Sequence, residues 1–245
     1  MREMDLKKLE WDSEFFNKKI FSLTLDQSNN DVKKIDEILL NNNADVCYLK
    51  TKNEVNTNHL FHYESTYFNK INIFRKRKSN TDFEKESHEI EKYNAKSHNK
   101  YYENIIKLAL LSGHKSRFCK DTKFSNEQFI YLYKKWIDNT INKTFGDGIL
   151  LYIHKNELAG MVTFSSKGSV AKVGLIAAEK KFQGKGIGQK LVKSFENYYT
   201  YNDNIKYFEI VTQSDNIAAS NLYIKKGYSL DEVTFIEHLW RKNLR

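Results

Sequence analysis

The chain has 245 residues, 40% hydrophobic and 14% aromatic, so a disordered chain is excluded and one large or two modest folded domains are expected. Its net charge is +9, but 40 basic side chains are interleaved with 31 acidic ones. Only residues 74–78 (FRKRK) form a compact basic cluster, so the charge reads as compositional bias and no nucleic-acid partner is expected.

Cys47 and Cys119 lie far apart with no CxxC pair, which excludes a disulfide framework and suits a reducing cytosol. No apolar run reaches signal-peptide or membrane-spanning length, so a cytoplasmic protein without membrane contact is expected. Residues 1–75 read as a smaller α/β region. It has strands at 20–25 and 46–50, an amphipathic helix at 32–40 between them, and a β-like run at 67–74. Residues 76–100 are polar and charged with almost no apolar periodicity, and read as a linker or exposed loop. Their lack of glycine and proline leaves a solvated helix open.

Residues 101–245 form the main domain. A helix stops at Gly113, where a glycine C-cap is expected. A second helix starts at Ser125, with Gln128 completing a capping box and Phe129, Leu132, Trp136 and Ile137 supplying its buried stripe. Strands at 149–154 and 158–165 form a hairpin, and a third strand runs over 170–178. After it comes FQGKGIGQKLV (182–192), which opens a helix with Ile187, Leu191, Phe195 and Tyr198 on one face. A strand at 206–213, a helix at 216–227 and a strand at 233–241 complete an α+β order in which the central strand feeds a glycine loop.

Alternating glycines before a helix suit an anion cradle, because backbone N–H groups can approach a phosphate closely. A Walker loop is excluded: Gly186 is followed by Ile187, Gly188 and Gln189, not by the required Gly-Lys-Ser/Thr. The dinucleotide fingerprint fails on its last spacing. What remains is Q-x-x-G-x-G, carried by Gln183, Gly186 and Gly188. Residues 214–230 (SDNIAASNLYIKKGYSL) then supply Asn216, Asn221, Tyr223, Gly227 and Tyr228 in order.

These two stretches together resemble the GCN5-related N-acetyltransferases (GNAT). The resemblance implies the GNAT fold, a mixed, mostly antiparallel sheet flanked by helices over residues 101–245. It also implies acetyl-coenzyme A as co-substrate, no metal, and direct transfer of the acetyl group to an amine. The loop amides of Gln183, Gly184, Lys185, Gly186, Ile187 and Gly188 would grip the pyrophosphate, with Lys185 a solvated contributor to the field. Leu175, Ile176, Ala177 and Ala178 would pair with the pantetheine as an added strand. Tyr223 would deliver the proton to the leaving thiolate, a phenol being protonated at neutral pH. Asn216 and Asn221 would contact the pantetheine arm or cap the helix.

Residues 9–23 (LEWDSEFFNKKIFSL), 116–141 and 174–192 are similar to the WecD-like group, which acetylates dTDP-linked 4-amino-4,6-dideoxyhexoses. That similarity implies a nucleotide-linked amino-deoxysugar as the small-molecule amine substrate. Arg117 would then grip a diphosphate, or else form a structural salt bridge. Trp11 and Phe15, with Asp12 and Phe16, would line the acceptor pocket or belong to the core. Glu209, His154 and His238 are alternative bases, and an aminosugar amine needs none of them. His59 and His62 lack a third ligand, so no metal site is expected. An acetyltransferase for another amine (a polyamine, an antibiotic or a peptide N-terminus) and a basic nucleic-acid-binding module are the alternatives. A homodimer is compatible with either enzyme reading.

Overall fold

The computed structural model describes residues 4–25, 31–79 and 88–243. The chain opens with β1 (Asp5–Lys8), α1 (Glu10–Phe16) and β2 (Ile20–Leu25). Ser13 binds helix to strand, its Oγ accepting from the Ile20 amide at 3.0 Å. Next come α2 (Val32–Asn41), β3 (Val46–Thr51) and the long β4 (Tyr63–Arg77). The Asp31 side chain caps α2 by accepting from the amides of Lys33 and Lys34.

The segment read as a linker carries the end of β4, the short β5 (Ile90–Lys92) and α3 (Ala95–His98); residues 80–87 of it lie outside the described residues. β5 escapes periodicity because it has three residues at a sheet edge and buries only Ile90. Two long helices follow, α4 (Tyr102–Gly113) and α6 (Asn126–Ile141), separated by the single turn α5 (Arg117–Lys120). The Ser125–Gln128 capping box is present with both of its bonds. Gly113 differs from expectation: it ends α4 without a left-handed cap, and a Cβ there would lie 2.3 Å from the Tyr133 ring. The glycine lets two helices touch.

The second half contains β6 (Gly148–His154), β7 (Glu157–Lys167), β8 (Val170–Ala178), α7 (Ile187–Tyr198), β9 (Tyr207–Gln213), α8 (Ile217–Lys225) and β10 (Ser229–Arg241). The β6–β7 hairpin turns on Lys155 and Asn156, both at positive φ as a two-residue primed turn requires. Ile187, Leu191 and Phe195 are buried as expected, but Tyr198 is exposed and Tyr199 is the buried tyrosine.

All ten strands form one sheet in the order β1-β2-β3-β10-β4-β9-β8-β7-β6-β5. This is the GNAT fold, mixed and mostly antiparallel; the pairs β2–β3 and β8–β9 are parallel. Beyond the expected topology, β4 from the N-terminal region lies between β9 and β10, antiparallel to both. One face carries α1, α4, α5 and α6 over a core that includes Tyr48, Phe118, Leu132, Ile149 and Met161. The other face carries α7 and α8 over Phe74, Val162, Phe195 and Ile210, and α2 over Leu23, Leu49 and Leu239.

Phe74 tests the insertion of β4. It is 2% exposed and meets Tyr223 edge-on, with ring centroids 5.7 Å apart. Phe74→Ala is expected to lower stability by about 3–5 kcal/mol in urea denaturation monitored by fluorescence.

Candidate active site

The sheet opens where β8 and β9 part. They pair from Val170–Tyr207 to Val173–Ile210 and no further, although β8 continues along β7 to Ala178 and β9 continues along β4 to Gln213. A bulge starts the divergence: the β7–β8 register moves from Phe164–Val173 to Val162–Ile176, so β8 holds one extra residue. The Leu175 amide donates to Thr163 Oγ1 at 2.8 Å, and a Cβ on Gly174 would sit 2.6 Å from that oxygen. Glycine is therefore required there. Leu175, Ile176, Ala177 and Ala178 are half-buried on the open side, where backbone groups seek a partner.

β8 runs directly into the glycine loop, whose three glycines do different work. Gly184 and Gly186 both have φ of 77°, and a Cβ on either would meet nothing within 4 Å. They set the backbone path and leave their side open. Gly188 has ordinary helical φ, but its Cβ would lie 2.6 Å from Leu222 Cδ1. It seats the start of α7 against α8, one residue from Tyr223.

Gly186 holds the N-cap position of α7 without a side-chain cap, so the first-turn amides of a twelve-residue helix point outward. Gln183 Nε2 donates to the Ala178 carbonyl at 3.2 Å and closes the loop at its base. Exposed Lys185 packs its ammonium 5.2 Å from the Phe182 ring. Lys190, one turn into α7, bonds Tyr152 at 2.9 Å and Glu89 at 3.3 Å. Bonds from Tyr152 and then His154 bring the Glu89 carboxyl down to about 2. Glu89 escaped sequence reasoning because it stands in the polar segment, where no pattern separates one acid from its neighbours.

Tyr223 is buried on α8, and its hydroxyl makes no hydrogen bond among the described residues. Burial pushes its phenol well above the ordinary value, so the proton stays on. Asn216 holds the N-cap position of α8, but its side chain does not cap: Nδ2 donates to Thr212 Oγ1 at 3.2 Å. Asn221 is exposed on the same helix.

The opposite face of the sheet holds the other expected site residues. Tyr48, His238 and Tyr67 are cross-strand neighbours on β3, β10 and β4. Arg117 lies over this row, 3.9 Å from the Tyr48 ring and 4.4 Å from that of Phe118. It forms no salt bridge among the described residues, so the structural ion pair is not realised. Lys50 shares the face. Burial and then the Arg117 charge lower its pKa. Burial raises the Asp12 carboxyl on α1, with Arg117 and Lys50 pulling the other way. Beside Asp12, Trp11 stacks on Phe15 and Phe15 on Tyr131, each pair 5.2 Å apart, with Trp11 and Tyr131 exposed. Phe16 is the core member of that quartet.

Between these groups and the split, the face is covered less. Val211 on the floor is 43% exposed, and Ile71 and Gln213 are half-buried. Lys115 spans one end, its Nζ donating to the Asp215 carbonyl at 2.9 Å. Tyr67 and Ile71 are four residues apart on β4, so the tyrosine row and the split lie roughly 13 Å apart.

The three alternative bases are all engaged. Burial raises the pKa of Glu209, but its pairs with Lys172 (2.6 Å) and Arg75 (2.8 Å) outweigh that and hold it below the usual range. His154 bonds Glu89 at the sheet edge. His238 is fully buried and bonds Asp121.

Residues 114–228 match the Acetyltransferase (GNAT) family. An acetyltransferase of that family from Novosphingobium aromaticivorans superposes with a TM-score of 0.55 at 12% identity, covering 81% of this chain and 75% of that one. The fold likeness and the family match agree over the part of the chain that carries the glycine loop and Tyr223. Among sequence relatives, the spore coat polysaccharide biosynthesis protein SpsD of Bacillus subtilis is 26% identical over 140 residues, 56% of this chain and 47% of SpsD. The uncharacterized protein YxbD of the same organism is 30% identical over 87 residues, 36% of this chain and 53% of YxbD. The chain thus spans about half the length of these curated relatives.

The glycines separate packing from path. Gly188→Val is expected to cost about 1–3 kcal/mol in urea denaturation by overpacking against Leu222. It should also weaken coenzyme A binding in calorimetry. Gly184→Ala should cost about 1–2 kcal/mol for its left-handed backbone alone.

Proposed function

We propose that this chain is an N-acetyltransferase that moves the acetyl group of acetyl-coenzyme A directly to the amine of a nucleotide-linked amino-deoxysugar. One observation carries the reading. The opening between β8 and β9 has an open glycine loop, an uncapped helix N-terminus and a buried phenol on one side, and on the other an arginine with no salt bridge among the described residues.

The residues fit the donor. The open amides at Gly184–Gly188 and the α7 N-terminus suit a pyrophosphate. The free edge of β8 over Leu175–Ala178 suits a pantetheine amide chain, which pairs as a strand does. When bound, acetyl-coenzyme A supplies a thioester carbonyl open to attack by a neutral amine. Tyr223 holds a proton for the departing sulfur, and its raised pKa keeps that proton in place across neutral pH. Asn221 and Asn216 stand on and beside the same helix and would contact the pantetheine arm in this reading.

On the acceptor side, Arg117 and Lys50 supply positive charge about 13 Å from the split along β4. An acceptor with its amine at the split and its phosphates one sugar ring away spans that order of distance. The exposed ring stack of Trp11 and Phe15 offers a surface for a base. The similarity to a spore coat polysaccharide biosynthesis protein supports a sugar over a polyamine or a peptide.

A thiol-release assay with dTDP-4-amino-4,6-dideoxyhexoses tests the reading. Turnover on polyamines or peptides and none on nucleotide aminosugars would sink the sugar assignment. Tyr223→Phe is expected to lower kcat by about 10²-fold with the acetyl-coenzyme A KM unchanged. Arg117→Ala should raise the acceptor KM about tenfold or more, the cost of one charge-assisted contact.

A further inference from the structure

Two buried polar residues take no part in the steps above. Asp121, at the end of α5, is 1% exposed, and His238, on β10, is 0% exposed. Asp121 Oδ2 accepts from His238 Nδ1 at 2.6 Å and from Trp240 Nε1 at 2.9 Å, while Oδ1 accepts from the Lys123 amide at 3.0 Å. Burial alone would raise this carboxyl. The bond from His238 and the two other donors outweigh it and hold Asp121 ionised.

That carboxylate sets the imidazole. With Nδ1–H committed to Asp121, the neutral ring presents the lone pair of Nε2. The groups packed around the ring are Tyr48 on β3, Tyr67 on β4, Phe118 on α5 and Phe124. The charges that face it are Asp121 and Arg117. Burial first, and Arg117 with it, bring His238 to about 4, so the ring is neutral at physiological pH.

Nε2 lies 3.4 Å from Arg117 Nη1. Arg117 is half-buried, and a guanidinium partly withdrawn from water is ordinarily paired with a carboxylate. Here an imidazole is interposed: the carboxylate orients the ring, the ring orients the guanidinium, and the guanidinium keeps its charge unpaired. The phenols of Tyr48 and Tyr67 beside it are also buried, and the Tyr48 hydroxyl has no hydrogen-bond partner among the described residues. Unpaired polar atoms of this kind cost stability, and a purely structural core has no reason to collect them around one cation.

We propose that Asp121 and His238 are positioning residues, which hold the Arg117 guanidinium flat on Tyr48 and Phe118 with its remaining N–H groups free for a phosphate of the acceptor. The inference rests on the reading of Arg117 as the acceptor's anion contact. It adds the two residues, one on α5 and one on β10, that make the contact directional.

The test is calorimetric titration of inorganic pyrophosphate into protein saturated with coenzyme A, which fills the glycine loop. His238→Asn retains a donor for Asp121 and removes the acceptor for Arg117. His238→Gln places an amide oxygen near the position of Nε2. Pyrophosphate binding is expected to weaken about tenfold or more in His238→Asn and to stay near wild type in His238→Gln. The acetyl-coenzyme A KM should be unchanged in both. Arg117→Ala should abolish binding in every background.

Wild-type pyrophosphate affinity in His238→Asn, with loss in Arg117→Ala, overturns the positioning role and leaves the Arg117 reading intact. Undiminished binding in Arg117→Ala overturns both. Equal loss in the Asn and Gln variants also overturns the proposal. Should neither variant fold, nitrogen NMR of the wild-type ring decides: Nε2 is expected to stay unprotonated from about pH 5 upward and to shift on pyrophosphate addition. A protonated Nε2 sinks the proposal.

Discussion

The split between β8 and β9 is the constraint around which the rest is arranged. A sheet tolerates an interior gap only if each strand keeps a partner on its outer side and the inner backbone groups find another. β7 holds β8 in register to Ala178, and β4 holds β9 in register to Gln213, so neither strand frays where its neighbour departs. The bulge at Gly174, pinned by Thr163, turns β8 away and makes the opening a property of the backbone. Two chain segments leave from this point. β8 continues into the glycine loop and α7, while β9 continues into α8, and Gly188 against Leu222 rejoins them. Glycine loop and buried phenol are thereby fixed to each other through one contact.

β4 supplies the second half of the arrangement. Lying between β9 and β10, it carries Phe74 on the face of α7 and α8 and Tyr67 on the face of α5 and α6. An odd spacing along a strand guarantees opposite faces. One strand from the N-terminal region therefore supports Tyr223 on one side of the sheet and the Arg117 row on the other. On that second face Val211, beside the split, is left exposed between the helices.

Much of this was legible in the sequence where one residue type has one physical reason to be present. Gln183, Gly186 and Gly188 marked in advance the loop that closes β8 and opens α7, because spacing alone removed the Walker and dinucleotide loops. The 20–25 and 170–178 strands coincide with the observed ones, since alternation or an unbroken apolar run leaves little choice. Gly113 was read as a cap and proved to be a contact with Tyr133, a distinction that depends on a side chain twenty residues away in another helix. β5 and Glu89 were hidden by short length and uniform polarity. The insertion of β4 was invisible because strand order is decided by long-range pairing, to which local pattern is blind. Arg117 was singled out through the family likeness of residues 116–141, but its neighbour His238, more than a hundred residues further along, was met only as one of three alternative bases.

The charge distribution shows why the overall +9 was a poor guide and the local balance a better one. Inside the sheet, Glu209 is shared by Lys172 and Arg75, and Arg75 also meets Asp231 at 2.7 Å. Glu196 is met by Lys76 at 3.1 Å and Lys193 at 3.7 Å. Glu89 is held by Lys190. Each of these cations meets a carboxylate, including Lys76 and Lys193, which are the ones most withdrawn from water. Around Arg117 the rule is suspended. Asp121 is turned to His238, the Asp12 carboxyl on α1 is shared between the charges of Arg117 and Lys50, and the Tyr48 hydroxyl has no hydrogen-bond partner among the described residues. The cations named above each meet a carboxylate directly, whereas Arg117 meets an imidazole and two aromatic rings. An anionic group of the acceptor would restore the balance there, and its binding would place whatever lies about one sugar ring away at the split.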